Sequence, residues 1–139
     1  MTALAGKWTY RSFHNNPAPV TDSAESALGL FFAEADFTLA DAPGDKLTGG
    51  IDWPGGGLDF AGEVTPATAT APLTFHIIGS GRPGTGTDGW EYDYHGHLAH
   101  QWPNGVNQVP ALVGSVIRAK PHGAAPAGYV ASFVAVRQP

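Results

Sequence analysis

The chain has no cysteine, so neither a disulfide framework nor thiolate chemistry is open to it. It is also poor in charge. Asp, Glu, Lys and Arg make up 14% of its 139 residues, which leaves little polar material to cover a monomer's surface and points to self-association. The scarcer sign is positive: 7 Lys and Arg against 12 Asp and Glu give a net charge of −5. Nucleic-acid binding needs Lys and Arg facing phosphates, so that class of partner is set aside. No apolar run approaches the length of a membrane span. No amphipathic helix separates the strand-like segments, which excludes a doubly wound α/β fold. The opening Met1-Thr2-Ala3-Leu4-Ala5 has neither a charged n-region nor an apolar h-region, so no signal peptide and a cytoplasmic location are expected.

What is abundant is turn chemistry. The 19 Gly and 12 Pro follow no repeat period and break the chain into many short strands. The length fits one domain over residues 1–139, and 42% hydrophobic residues make it globular rather than disordered. Period-2 alternation and turn residues predict eight strands: 6–14, 28–39, 46–53, 58–64, 73–80, 90–97, 111–119 and 129–137. Residues 21–27 are good helix formers and fit one short helical turn. Eight evenly spaced strands predict an all-β fold, an antiparallel up-and-down β-barrel, with a sandwich as the alternative. Closure removes the exposed edges an open sheet must protect.

The stretch from Asp88 to Pro110 is the most unusual. Successive strand side chains point to opposite faces, so Trp90, Tyr92 and Tyr94 share one face. Glu91, Asp93, His95 and His97 share the other. After them comes a polar loop of about a dozen residues, long for a compact domain. The last two strands carry apolar residues on both faces: Leu112, Val113, Val116 and Ile117, then Val130, Phe133, Val134 and Val136. A barrel has one inside, so the outer face of these strands needs a cover. That cover is a loop, the short helical turn or, the preferred reading, a second subunit in a homo-oligomer (dimer or tetramer).

Gly6-Lys7-Trp8 resembles the Gly-x-Trp that opens the first strand of calycins, the superfamily of lipocalins, fatty-acid-binding proteins and avidins. The resemblance implies a barrel with Trp8 closing one end and a basic residue from a late strand, Arg118 or Arg137, packed across it. Likeness to the avidin branch implies a tetrameric barrel that holds a small ligand at its open end. The residues that follow, Thr9-Tyr10-Arg11-Ser12, depart from avidin's biotin-contacting pattern, so the resemblance carries the fold and not biotin. Barrels of the allene-oxide-cyclase type also fit eight strands and include cofactor-free isomerases and cyclases.

Several candidate sites follow. Tyr10 and Ser12 join Trp8, Trp90, Tyr92 and Tyr94 in lining a cavity if strands one and six turn these faces inward. Aromatic walls with a few fixed hydroxyls suit a small-molecule pocket. Trp102 and Asn104, with Asn107 and Gln108, make the long loop a lid over that ligand or, equally, an anchor packed on the barrel's outside. Asp93 is a general base if buried, with Tyr94 as its acid–base partner. Glu34 and Asp36 form a similar carboxylate pair. For all three carboxylates the favoured reading is a solvated outer face. His95, His97 and His100 are the one metal-like constellation, with Asp93 or Glu91 as an oxygen ligand. A solvated strand face is again the favoured alternative, so no metal and no cofactor are expected. Gly84-Thr85-Gly86-Thr87 opens a strand and lacks the helix N-terminus that binds phosphate. The function expected is small-molecule binding, of an apolar or aromatic ligand in the barrel cavity. The alternatives are a cofactor-free isomerase, cyclase or hydrolase on the same barrel, or a His-metal enzyme.

Overall fold

A computed structural model describes residues 3–139. The signal-peptide expectation rests partly on Met1 and Thr2, which lie outside the described residues. The elements in order are β1 (Gly6–His14), α1 (Ala24–Gly29), β2 (Phe31–Ala42), β3 (Lys46–Trp53), β4 (Gly56–Thr65), β5 (Thr74–Gly81), β6 (Glu91–Leu98), β7 (Ala111–Arg118) and β8 (Val130–Arg137). Each strand pairs antiparallel with the next, and β8 pairs with β1 to close an eight-stranded up-and-down barrel. Among the described residues no helix is long and apolar enough to cross a membrane.

The expected alternation decides what fills the barrel. Trp8, Tyr10 and Ser12 of β1, Phe37 and Leu39 of β2, and Tyr92 and Tyr94 of β6 are all buried. Their strand neighbours Lys7, Arg11, Asp36 and His95 are exposed. A tightly packed aromatic cluster occupies the middle: Tyr10 stacks on Phe37 at 5.5 Å, and Tyr94 meets Phe60 edge-on at 5.2 Å. Room for it comes from missing side chains. Gly96 and Gly114 face each other across β6 and β7, and a Cβ on Gly96 would stand 2.8 Å from the Phe75 ring.

One end of the barrel is sealed. Trp8 is fully buried, its Nε1 donates to the Leu4 carbonyl at 3.0 Å, and the Arg137 guanidinium lies 4.5 Å from its ring centre. Arg137 also donates to the Ala3 carbonyl, tying the chain's beginning to its last strand. Of the two basic residues considered for this place, Arg137 occupies it, and Arg118 lies at the opposite end.

Two local differences from the sequence reading have clear causes. The helical turn is shifted to 24–29 because Ser23 caps it, its hydroxyl accepting from Ser26 N at 3.1 Å. That helix occupies Leu28 and Gly29, so β2 starts at Phe31 rather than at Leu28. The helix buries none of its residues and packs beside β2, so it does not cover β7 and β8. Val130 and Val134 on the outer face of β8 remain 42% and 38% exposed.

Candidate ligand-binding site

Connections in an up-and-down barrel alternate between its ends. Trp8 marks the end where β1 begins, so the turns after β1, β3, β5 and β7 gather at the other end. There a cavity of about 440 Å3 opens, and Tyr10, Ile51, Leu58, Tyr94 and Val116 are among the residues that form it. Trp53, Trp90, Phe32, Tyr92, Arg118 and His122 line it as well.

Three planar groups stand in sequence along its wall. Trp90 stacks on the His122 ring, with centres 3.7 Å apart and planes 11° from parallel. Trp53 lies 6.3 Å from Trp90, its plane 21° from parallel. The turns hold these rings in place. Thr87 is buried and its hydroxyl donates to the Gly57 carbonyl at 2.8 Å, which pins the β5–β6 turn onto the β3–β4 hairpin. Gly81 lets that turn fold back, since a Cβ there would stand 1.6 Å from the Thr87 carbonyl. Arg82 bridges the same elements from outside, with Nη1 2.7 Å from Asp52 and Nε 2.9 Å from Asp59. Those two carboxylates hold the Arg82 guanidinium above its ordinary pKa.

A polar cluster joins the wall. Arg118, at the end of β7, is 8% exposed, and its Nε donates to the Tyr92 hydroxyl at 2.8 Å. Its Nη1 donates to the Pro126 carbonyl at 3.1 Å. The rings of Phe32, Tyr92 and Tyr129 surround the guanidinium at 5.2 to 5.9 Å. Among the described residues no carboxylate pairs with it; Glu34 lines the cavity but is held by Arg11 at 2.8 Å. The Tyr92 hydroxyl also lies 2.8 Å from His122 Nε2. Burial first, and the Arg118 charge second, push His122 below its ordinary pKa. A neutral imidazole with its proton on Nδ1 accepts the Tyr92 O–H at Nε2. Deeper in, burial raises Tyr10, with the Ser12 hydroxyl acting in opposition, and burial raises Tyr94 as well, so both phenols stay protonated.

The residues singled out in the sequence are distributed as follows. Tyr10, Trp90, Tyr92 and Tyr94 are brought together around the cavity. Ser12 is fully buried on the inner face of β1 but is not among the cavity's lining residues. Trp102 and Asn104 sit in the β6–β7 connection at the Trp8 end, away from the mouth, with Trp102 69% exposed. The Gln108 side chain closes that loop on itself, donating to the Trp102 carbonyl at 2.8 Å and accepting from the Trp102 N–H.

Asp93 points outward between Ile78 and Ile117 of the neighbouring strands, while Tyr94 points inward, so the two do not meet. One Asp93 oxygen is buried with no partner. Burial foremost, then the charge of Glu91, raises its pKa, and His76 and His95 oppose that rise. The histidines have separate contacts. His95 stacks on His76 at 4.1 Å, His97 Nδ1 lies 3.0 Å from the Leu98 carbonyl, and His100 sits in the loop near Trp102. Among the described residues no group of three or more His, Asp and Glu side chains is placed to hold a metal ion.

His122 was missed by sequence reading. It lies in the Pro- and Gly-rich turn between β7 and β8, anchored by a bridge to Ala125, and no strand period points to it. Comparison of the chain with protein-family models, with curated proteins and with solved structures found no match.

Proposed function

We propose that this chain binds a small planar, apolar or aromatic molecule in the cavity at the open end of its barrel. One observation carries the reading: the barrel is sealed at the Trp8 end, and its other end opens into about 440 Å3 walled by aromatic rings. That volume suits a small organic ligand, for which typical pockets span roughly 300–1,000 Å3. The polar groups are few and fixed, which is how such pockets orient what they bind. The Trp8–Arg137 contact supports reading the architecture as calycin-like. We further propose one domain over 1–139, located in the cytoplasm, working without a cofactor, and self-associating through the outer faces of β7 and β8.

A second reading is a cofactor-free enzyme doing acid–base chemistry in the same cavity. The Tyr92–His122 contact at 2.8 Å favours it, because it supplies a proton donor and acceptor in the wall. This pair takes the place of Asp93 and Tyr94, which lie on opposite faces of β6.

Native mass spectrometry of the purified chain and quenching of its tryptophan emission test the binding reading. A co-purifying aromatic compound, or quenching by added naphthyl compounds that Trp90→Phe removes, is the expected result. Unchanged emission up to millimolar probe, with no adduct, overturns it.

A further inference from the structure

We infer that the ligand carries an anionic group, a carboxylate or a phosphate, which Arg118 receives inside the cavity while the ligand's planar body lies along the Trp53–Trp90–His122 wall. This rests on the proposed binding function and names the class of molecule bound.

The first support is a cation without a counter-charge. Arg118 carries a guanidinium and is more than nine-tenths buried. A desolvated charge is costly unless paired, yet the groups around Arg118 are neutral: a phenol, a carbonyl and three ring faces. Its Nη2 has no acceptor among the described residues, while Nε and one N–H of Nη1 are bonded. The guanidinium thus has its orientation fixed by two bonds and one donor arm left over, in a residue that lines the cavity. Fixed donors on a guanidinium favour a charged acceptor over a neutral one.

The second support is the local field. The ionisable groups facing Arg118 are Tyr92, Tyr129 and His122. None is a carboxylate, and burial first and the Arg118 charge second push His122 towards its neutral form. The remaining acid on the lining, Glu34, is committed to Arg11. Among the described residues Arg118 is therefore the one cation on the lining, and the one acid there is paired with a cation outside it.

The experiment compares naphthoate with its isosteric neutral amide, naphthamide, by calorimetry and Trp quenching, with naphthyl phosphate as a third arm. Naphthoate or naphthyl phosphate should bind roughly tenfold or more tightly than naphthamide, as expected for a charge-assisted bond to a fixed guanidinium. Whichever anion binds more tightly identifies the group. Arg118→Gln should abolish the preference, so that naphthoate binds that variant no more tightly than naphthamide does. If that variant does not fold, the pH dependence of the native chain decides. Naphthoate affinity should fall as the pH drops through the carboxyl range, while naphthamide, which does not titrate, holds steady. Equal affinity for acid and amide overturns the anion assignment and leaves the cavity reading standing. Failure of all three probes to bind overturns both.

Discussion

The Tyr92 hydroxyl lies 2.8 Å from His122 Nε2, so a strand residue in the barrel wall and a residue of the β7–β8 turn share one proton's path. The same oxygen accepts from Arg118 Nε at 2.8 Å. One phenol therefore ties the turn to the buried cation, and the state of His122 is tied to that of the pocket.

The first prediction concerns pH. In the unfolded chain His122 takes a proton near its ordinary value of 6.5, and in the folded chain only below it. Between those two values the unfolded chain binds more protons, so folding stability falls as the pH drops from about 6.5 through the folded value. His122→Gln keeps a partner for Tyr92 and does not titrate. It should flatten that part of the Tm-against-pH curve, and the wild-type minus variant difference removes the contribution of the other histidines. A ring titration by NMR with its midpoint at or above 6.5 would contradict the assignment.

Asp93 has the opposite sign. Its folded pKa is raised by burial and by Glu91, so the folded chain carries a penalty for the ionised form. That penalty is complete above the folded pKa and disappears as the pH falls below the unfolded value near 3.9. Asp93→Asn should raise Tm at neutral pH and change it little in acid. A lower Tm at neutral pH would mean that the carboxylate has a partner that stabilises it.

At the sealed end, Trp8→Ala should cost about 3–5 kcal/mol, the usual loss for deleting a buried Trp. Arg137→Met should cost less, about 2 kcal/mol at most, since the cation over the ring is replaced by an apolar chain. Urea denaturation measures both. A loss under about 1 kcal/mol for Trp8→Ala would mean that this end tolerates an opening and that Trp8 is no plug.

How much of this was legible in the sequence depends on which signal each element carries. β1 and β3 have the expected bounds because Gly, Pro and alternation delimit them on both sides. The inward aromatic face of β6 follows from its period alone. The position of the Trp102 loop was in principle available too. In an up-and-down barrel alternate connections share an end, and the β6–β7 loop falls on the same end as Trp8. His122 was not readable, because a turn residue's contacts depend on how the turn folds back over the wall, and here stacking on Trp90 decides that. Arg118 was visible as a late-strand basic residue. The same alternation puts the end of β7 at the mouth and away from Trp8, and period 2 turns Arg118 to the inward side with Val116.

The last prediction is self-association through the outer faces of β7 and β8. Cross-strand partners there are Ile117 with Val130, Val113 with Val134, and Ala111 with Val136, with Ser115 and Ser132 between them. The rows form an apolar face, interrupted by the Ser115–Ser132 pair and flanked by the charged rows of β6 and β1. A second copy of this chain is the proposed occupant, because a two-fold pairing buries both patches at once and places the flanking charges at the rim. The low charge content of the chain points the same way. Light scattering of the wild type across dilution should report a dimer or tetramer. Val134→Asp should dissociate it, since a carboxylate buried without a partner costs several kcal/mol, a loss of about a hundredfold or more in association. The variant should keep its β-sheet circular dichroism, because Val134 points away from the barrel interior. A strictly monomeric wild type at micromolar and higher concentrations would refute the interface and leave this face solvent-exposed.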